Sequence, residues 1–503
     1  MRATVTAHKD FTIGAIDNRI YGAFLEHLGR AVYSGIYEPD HPTADKNGMR
    51  ADVAELVRDL DIPMVRYPGG NFVSAYNWED GIGPKDQRPT RLDLAWHTSE
   101  SNHVGVHEFA AWCDTVKTEM MLAINLGSRG LDQARNFVEY VNGPVGSYWG
   151  DLRKQNGRTK PWDVKMWCLG NEMDGPWQVG HKTAEEYGRL ANETAKTLRA
   201  FDKNLELIVC GSSHSYMPTY PDWERTVLEH TYDAVDHISL HMYFNNRAKH
   251  TANYLAMNER LDQYIATVAS TIEFVRAKKK SKKKVYISFD EWNVWYHSNA
   301  QDRALLDGKS GWPHAPRLLE DIYNFEDVLQ VGCIINTFIR RSDVVKLACI
   351  AQLVNVIAPI MTEPGGDAWR QTIYYPYYFA SRYGRGTALQ LSVQSPGYDA
   401  EVADNVPYLD ISGVHDERAG TLTFFAVNRS ESETLSVDVA LVGFKAGQVI
   451  DHQVMTHKDL QGANTLKNQK NVVPRKGSGA KLADGKLTAR LAPLSYQMIR
   501  VKV

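Results

Sequence analysis

Several features that assign a chain to a functional class are missing from these 503 residues. No window reaches 18 consecutive apolar residues, and the N-terminus lacks the apolar run of a signal peptide. Neither GxGxxG nor GxxxxGK[ST] occurs, so nucleotide chemistry has no support. A formal net charge of -3 gives no reason to expect nucleic acid or an anionic membrane surface as a partner. Together these absences predict a soluble cytoplasmic protein.

Cysteine is scarce and carries no recognisable pattern. The five cysteines are scattered, odd in number and without CxxC spacing. Cys168, Cys210 and Cys349 fall in apolar runs, which predicts buried free thiols rather than disulfides or zinc ligands. His103 and His107 stand four positions apart, but HExxH is absent and no third ligand is evident. We therefore expect neither a metal nor a cofactor.

What the chain does contain is a long alternation of strand-like and helix-like segments. It repeats eight times between roughly residues 17 and 375, which is typical of an α/β fold with a parallel sheet. Polar residues follow the C-terminal end of each apolar strand, which favours a closed (β/α)8 TIM barrel over an open sheet.

The character of the sequence changes from about residue 385, where short β-type runs are separated by clusters of Gly, Asn and Ser. This spacing predicts a C-terminal antiparallel β-sandwich. Residues 1–16 suggest an edge strand and a turn that join the sandwich, because the ends of a domain often lie close together. The predicted organisation is thus 1–16 with the sandwich, 17–380 as barrel and 381–503 as sandwich.

Two apolar runs are each followed within three residues by a glutamate. Glu172 follows the run Val164–Leu169, and Glu291 follows Val285–Phe289. The two acids are 119 positions apart, which is close to three units at about 45 residues per unit, so their strands would face each other across a barrel mouth. Either glutamate alone could be a turn cap or a salt-bridge partner in the rim. Together they form the pair that glycoside hydrolysis needs, with one acid to protonate the leaving oxygen and one to attack the anomeric carbon.

The surrounding motifs resemble those of the α-L-arabinofuranosidases of glycoside hydrolase family 51. Cys168–Glu172 resembles the acid/base signature of that family, and Phe289–Trp292 resembles its nucleophile signature. Further matching motifs follow the family's order: Gly22–His27, Arg66–Phe72, Asn77–Trp78 and Ala351–Asn355. The resemblance implies a (β/α)8 barrel with a β-sandwich, a retaining mechanism and a homo-oligomer, often a hexamer.

The resemblance also implies roles for individual residues. Glu172 would be the general acid/base, which must carry a proton for the acid step, and Glu291 would be the nucleophile. Six further residues would surround the arabinose ring: Glu26, Arg66, Asn71, Asn171, Tyr243 and Gln352. Two tryptophans would form walls of the pocket: Trp96 and Trp295.

Physical roles can be assigned to several of these side chains. Asn171 could hydrogen-bond the 2-OH of the sugar, a contact that strengthens in the oxocarbenium-like state. Tyr243 could donate to the nucleophile and keep it ionised. Arg66, which is always charged, could hold Glu26 or Glu291 in place.

The predicted activity is retaining, exo-acting hydrolysis of terminal α-L-arabinofuranosyl residues from arabinoxylan or arabinan oligosaccharides. Three alternatives compete with it. The same barrel could act as a β-xylosidase or with endoglucanase-like activity. The chain could also be a catalytically silent carbohydrate-binding protein, although an intact acid pair argues against that. A metal-dependent barrel hydrolase would lose activity with chelators.

Overall fold

Eight parallel strands close into a barrel in the computed structural model, which describes residues 1–445 and 447–503. Each strand pairs with its neighbours in chain order, and the last pairs with the first, which confirms the predicted (β/α)8 barrel. The strands are short and almost wholly buried because helices cover them outside and side chains fill the interior. Their bounds, β1 to β8, are Gly22–Phe24, Met64–Tyr67, Glu119–Ala123, Met166–Leu169, Glu206–Cys210, His237–Phe244, Tyr286–Val294 and Val345–Ala351.

Ten α-helices accompany the barrel in the described part of the chain. Most are amphipathic, but Phe325–Arg340 is buried on nearly every face because it packs between the barrel and the C-terminal sheets. The helices are Ala51–Leu60, Val106–Val116, Leu131–Asn142, Tyr148–Gln155, Ala184–Phe201, Asp222–Thr231, Thr251–Lys279, Asn299–Leu306, Phe325–Arg340 and Tyr374–Tyr383. Short 3-10 turns lie at Asn18–Tyr21, Asn71–Ala75, Trp78–Gly81 and Lys85–Gln87.

The C-terminal region consists of two main sheets with mostly antiparallel pairing, as predicted. The five-stranded sheet has the order Ser392–Gln394, Arg2–His8, Leu435–Val442, Lys486–Leu491 and Lys481–Ala483. The seven-stranded sheet has the order Thr12–Ala15, Thr387–Leu389, Leu409–Asp416, Thr421–Asn428, Ser495–Lys502, Val449–Met455 and Arg475–Lys476. Three small hairpins complete the strands: Arg91–Asp93 with Thr98–Glu100, Ile360–Thr362 with Ala368–Arg370, and Gly397–Ala400 with Ala403–Pro407.

The N-terminal strand Arg2–His8 is not at an edge, contrary to the sequence-based expectation. It lies inside the five-stranded sheet, antiparallel to Ser392–Gln394 and parallel to Leu435–Val442. Polar and apolar residues alternate along this strand, as they do in any strand with one solvent-exposed face. This pattern does not distinguish an edge strand from an interior strand. The next strand, Thr12–Ala15, crosses to the seven-stranded sheet and does lie at its edge, so the N-terminal segment contributes to both sheets.

A buried ion cluster connects the barrel helices to the sandwich. Asp410 accepts hydrogen bonds of 2.6 Å from both Asn336 Nδ2 and Arg429 Nη2, and one of 3.1 Å from Asn258 Nδ2. The last barrel helix, Tyr374–Tyr383, runs across the boundary predicted at residue 380. All five cysteines are free and buried, as expected. None of the helices in residues 1–445 and 447–503 is both long and apolar enough to cross a membrane.

Candidate active site

The two carboxylates singled out in the sequence meet at the C-terminal mouth of the barrel. Glu172 lies in the turn after β4, and Glu291 lies within β7. One carboxylate oxygen of Glu172 and one of Glu291 lie within 4.8 Å of each other. Glu172 has a φ of 44°, in the left-handed region that costs a non-glycine residue about 1 kcal/mol or more. The turn after β4 thus holds its carboxylate in place at some conformational cost.

Glu291 is held by two donors on opposite sides. Arg66 Nη1 donates to Oε1 at 2.8 Å, and the Tyr243 hydroxyl donates to Oε2 at 2.8 Å. Burial raises the pKa of Glu291, and the neighbouring Glu172 adds to that rise, while His241, Arg66 and Tyr243 oppose it. These contacts leave the carboxylate fixed in orientation and facing the cavity.

Glu172 is held by an indole and an imidazole. Trp177 Nε1 donates to Glu172 Oε2 at 2.7 Å, and His241 Nδ1 lies 2.9 Å from Glu172 Oε1. The other ring nitrogen, His241 Nε2, lies 3.0 Å from Asp290 Oδ1. Burial lowers the pKa of His241, but the carboxylates of Glu291, Asp290 and Glu172 outweigh it and raise that pKa to about 10. His241 is therefore an imidazolium at neutral pH and donates from both nitrogens.

The inner end of the cavity, which measures about 700 Å³, is built around Glu26. Glu26 Oε1 accepts from Phe72 N at 2.8 Å and from Trp96 Nε1 at 3.0 Å, and Gln352 accepts from Glu26 N at 2.9 Å. A Cβ on Gly70 would lie 2.4 Å from Glu26 Oε2, so only glycine fits there. Burial and the negative Glu291 raise the pKa of Glu26 to about 8, so this carboxyl is mostly protonated at neutral pH.

The outer end of the cavity is aromatic and exposed. Trp177 is 46% exposed and Tyr216 is 60% exposed, although both line the same cavity as the carboxylates. His214 stacks against Trp177 with ring centroids 6.0 Å apart. Arg247 completes this rim. The cavity therefore has a closed polar end and an open aromatic end, with Glu172 between them.

Most of the residues predicted for the site line this cavity: Glu26, Asn71, Trp96, Glu172, Tyr243, Glu291, Trp295 and Gln352. Arg66 and Asn171 instead lie beneath it and are fully buried. Arg66 Nη2 donates to Asn171 Oδ1 at 2.6 Å, and Asn171 Nδ2 donates to Asn71 Oδ1 at 3.2 Å. The structure thus brings all ten residues together, and the predicted contact of Asn171 with the sugar stays a prediction.

Sequence reasoning did not assign His241, Trp177 or Arg247 to the site. His241 could have been found, because residues two apart on a strand share a face and Tyr243 was already a candidate. The β6 strand has an irregularity between Ser239 and His241, which the sequence does not reveal. Trp177 and Arg247 lie in loops, where no periodicity indicates a direction.

Glu172, Glu291 and His241 also lie close enough together to be considered as metal ligands. One nitrogen of His241 and one oxygen each of Glu172 and Glu291 are mutually within 4.8 Å. A histidine must lose its proton to bind a metal, whereas the three neighbouring carboxylates raise the pKa of His241 and so favour its protonated form. Arg66 already donates to Glu291. The arrangement fits proton transfer better than cation binding.

Comparison with known proteins identifies the family. The profile described as "Alpha-L-arabinofuranosidase 1 domain" matches residues 56–264, and "Alpha-L-arabinofuranosidase C-terminal domain" matches residues 290–495. An intracellular exo-α-(1→5)-L-arabinofuranosidase 1 from Bacillus subtilis (strain 168) is 54% identical over 501 residues, which cover 100% of this chain and 99% of that protein. The chain belongs to the α-L-arabinofuranosidases of glycoside hydrolase family 51.

Two further relatives agree, one in sequence and one in structure. An exo-α-(1→6)-L-arabinofuranosidase from Bifidobacterium longum is 45% identical, with 98% of this chain and 96% of that protein covered. The structure of a family 51 α-L-arabinofuranosidase from Bifidobacterium longum superposes with a TM-score of 0.95 at 42% identity, covering 99% of both chains. This family 51 chain is therefore an enzyme, a glycoside hydrolase that acts on arabinofuranosides, and the β-xylosidase or endoglucanase alternative is not favoured.

Proposed function

We propose that this family member is a retaining, exo-acting α-L-arabinofuranosidase in which Glu172 is the general acid/base and Glu291 is the nucleophile. The observation that supports the proposal most directly is the short distance between the two carboxylates, since one oxygen of Glu172 and one of Glu291 lie within 4.8 Å of each other. Retaining glycosidases hold their carboxyl groups about 5–5.5 Å apart, whereas inverting enzymes need about 6.5–9.5 Å to admit a water.

In the first half of the reaction, the sugar occupies the closed end of the cavity. Glu291 attacks the anomeric carbon while the glycosidic bond breaks, and Glu172 gives its proton to the departing oxygen. Trp177 and His241 hold Glu172 at the boundary between the closed and open ends. The product of this half is a covalent arabinosyl ester of Glu291 and a free alcohol.

In the second half, a water takes the place of the departed alcohol. Glu172, now ionised, accepts a proton from that water as its oxygen attacks the anomeric carbon and the ester bond to Glu291 breaks. Arg66 and Tyr243 stabilise the carboxylate that leaves. Two inversions at the same carbon give net retention.

The shape of the cavity supports exo action. Glu26, Trp96 and Gln352 close its inner end, so a chain cannot pass through and only a terminal residue can enter. We infer arabinose-containing oligosaccharides as substrates because both relatives are named as exo-acting arabinofuranosidases. We infer a cytoplasmic location because the Bacillus subtilis relative is named as intracellular. We also propose a homo-oligomer, a hexamer by the family resemblance, which light scattering of the purified protein would test.

A panel of aryl glycosides, with NMR of the first-formed anomer, tests the proposed activity. We expect hydrolysis of the α-L-arabinofuranoside with retention. Hydrolysis of only the β-xyloside, or an inverted first product, would refute it.

Two variants test the assignment of roles. Glu291→Ala should be inactive and regain activity with azide, giving the inverted arabinosyl azide, because azide can enter the space of the carboxylate. Glu172→Ala should still form the ester from an activated aryl substrate and then hydrolyse it slowly. Glu185→Ala, at an exposed carboxylate, is the control. Identical behaviour of the two active-site variants would contradict the roles.

A further inference from the structure

Three cations near the open end of the cavity have no carboxylate partner. Among the residues that the structure describes, no carboxylate oxygen lies within 4.0 Å of a side-chain nitrogen of Arg247, Lys249 or Arg260. Arg247 and Lys249 are exposed and lie in the loop after β6. The Arg260 guanidinium lies over the ring of Tyr216, 4.7 Å from its centroid. The rim thus carries free positive charge, although the whole chain has a formal charge of -3.

Arg247 links the catalytic cavity to a second one. It lines both the cavity that contains Glu172 and a neighbouring cavity of about 580 Å³, to which Lys249 also belongs. The second cavity lies between the barrel rim and Leu460–Gln461 of the C-terminal region, and its other walls include Asn246 and Tyr296. A chain that leaves the catalytic cavity at this end therefore meets a polar groove lined with hydrogen-bonding groups.

The carboxylates nearest to this groove are engaged with other partners. Glu326, the one carboxylate among its lining residues, is buried and accepts from Asn246 Nδ2 at 2.9 Å and from the Thr251 hydroxyl. Asp327, behind it, is hydrogen-bonded at 2.9 Å to both His297 Nε2 and the Tyr254 hydroxyl. Neither carboxylate forms an ion pair with Arg247 or Lys249, so both cations are free to bind an anion that enters the groove.

The position of this charge relative to Glu172 determines which part of a substrate it meets. The departing alcohol must lie beside the general acid, at the end of the cavity where Trp177 and Tyr216 are exposed. The closed end, by contrast, contains Glu26 and Glu291 and suits a neutral sugar. The two ends of the cavity therefore differ in their charged groups: the closed end is lined with acidic side chains, and the leaving-group side is lined with basic ones.

We propose that the leaving-group side of this enzyme recognises a carboxylate-bearing sugar, a uronic acid residue on the chain that carries the arabinose, through Arg247 and Lys249. The inference rests on the proposed function, because it takes Glu172 to mark the leaving-group side. It adds a charged specificity element to an enzyme whose reacting sugar is neutral. Arginine suits this task because its planar fork matches a carboxylate.

The test compares two substrates of equal size. One is an arabinofuranosyl oligosaccharide with a uronic acid substituent, and the other is the same compound after the carboxylate is reduced to an alcohol. We expect wild-type kcat/KM to be higher for the acidic compound, by about 1.5- to 5-fold for each exposed ion pair. The ratio should approach one at about 0.5 M salt, where exposed charges are screened.

Variants assign the effect to the groove. Arg247→Gln and Lys249→Gln should each lower the acidic-to-neutral ratio, and the double variant should bring it to about one. Lys282→Gln is the control and should leave the ratio unchanged, because this exposed lysine precedes β7 and so lies at the opposite end of the barrel from the cavity. A wild-type ratio of one, or equal ratios in wild type and the double variant, overturns the proposal. If no arabinofuranoside is hydrolysed at all, the proposed function fails first, and the two failures are thus distinguishable.

Discussion

His241 offers the sharpest test of how the proposed catalytic pair is held, and two amide variants can separate its two contacts. Asparagine places an amide near the position of Nδ1, which faces Glu172 Oε1 at 2.9 Å, and glutamine places one near Nε2, which faces Asp290 Oδ1 at 3.0 Å. His241→Gln therefore removes the contact to Glu172 and the positive charge, whereas His241→Asn removes the charge and the contact to Asp290.

The size of the effect follows from the contact that is lost. A hydrogen bond to a charged group contributes about 1.5–3 kcal/mol, which corresponds to roughly a 10- to 150-fold loss in kcat/KM. We expect this loss for His241→Gln with an oligosaccharide, whose leaving oxygen needs the proton of Glu172. A dinitrophenyl arabinofuranoside needs little protonation, so its kcat/KM should fall much less.

The assay is the ratio of kcat/KM for these two substrates, measured across pH for wild type and both variants. His230→Gln is the control, because His230 pairs with Glu185 at 2.6 Å on the surface, far from catalysis. We expect kcat/KM for the oligosaccharide to fall more in His241→Gln than in His241→Asn. We also expect the pH profile of His241→Gln to differ from that of the wild type. Equal losses on both substrates with an unchanged pH profile would show that His241 supports only the fold.

Three further outcomes follow from the structure. Burial raises the pKa of Glu26 to about 8, so above that pH Glu26 loses its proton and adds a negative charge beside Glu291. Activity should therefore fall on the alkaline side of a pH–rate profile, and Glu26→Gln should flatten that fall. Val5→Ala in the interior N-terminal strand should lower the free energy of unfolding by about 2 kcal/mol in urea titration, while Thr4→Ala, on the exposed face, should change it little; equal effects would contradict the strand's placement. Prolonged chelation should leave kcat unchanged, and a loss restored by zinc would revive the metal-dependent alternative.

The barrel could be predicted, and the pair of carboxylates at its mouth could be singled out, because their signals are local. A buried strand appears in the sequence as an apolar run, and a carboxylate near the C-terminal end of that run is visible without long-range information, so Glu172 and Glu291 could be singled out. The parallel pairing of Arg2–His8 with Leu435–Val442 joins segments more than 430 positions apart. Neither segment contains a pattern that indicates which strand it pairs with. The placement of Arg66 beneath the carboxylates depends on the packed interior of the barrel, which periodicity does not describe.

The charges beneath the cavity explain why two fixed cations accompany the proposed catalytic pair. Before reaction, the proposed mechanism requires a protonated Glu172 and an ionised Glu291. Asp290 adds a second negative charge, and the imidazolium of His241 and the guanidinium of Arg66 balance the two. In the covalent intermediate, Glu291 is a neutral ester and Glu172 has become a carboxylate, so the sum is again zero. The site is thus neutral at both stages although its proton and its negative charge have exchanged places, and no counter-ion has to enter a buried pocket between the two half-reactions.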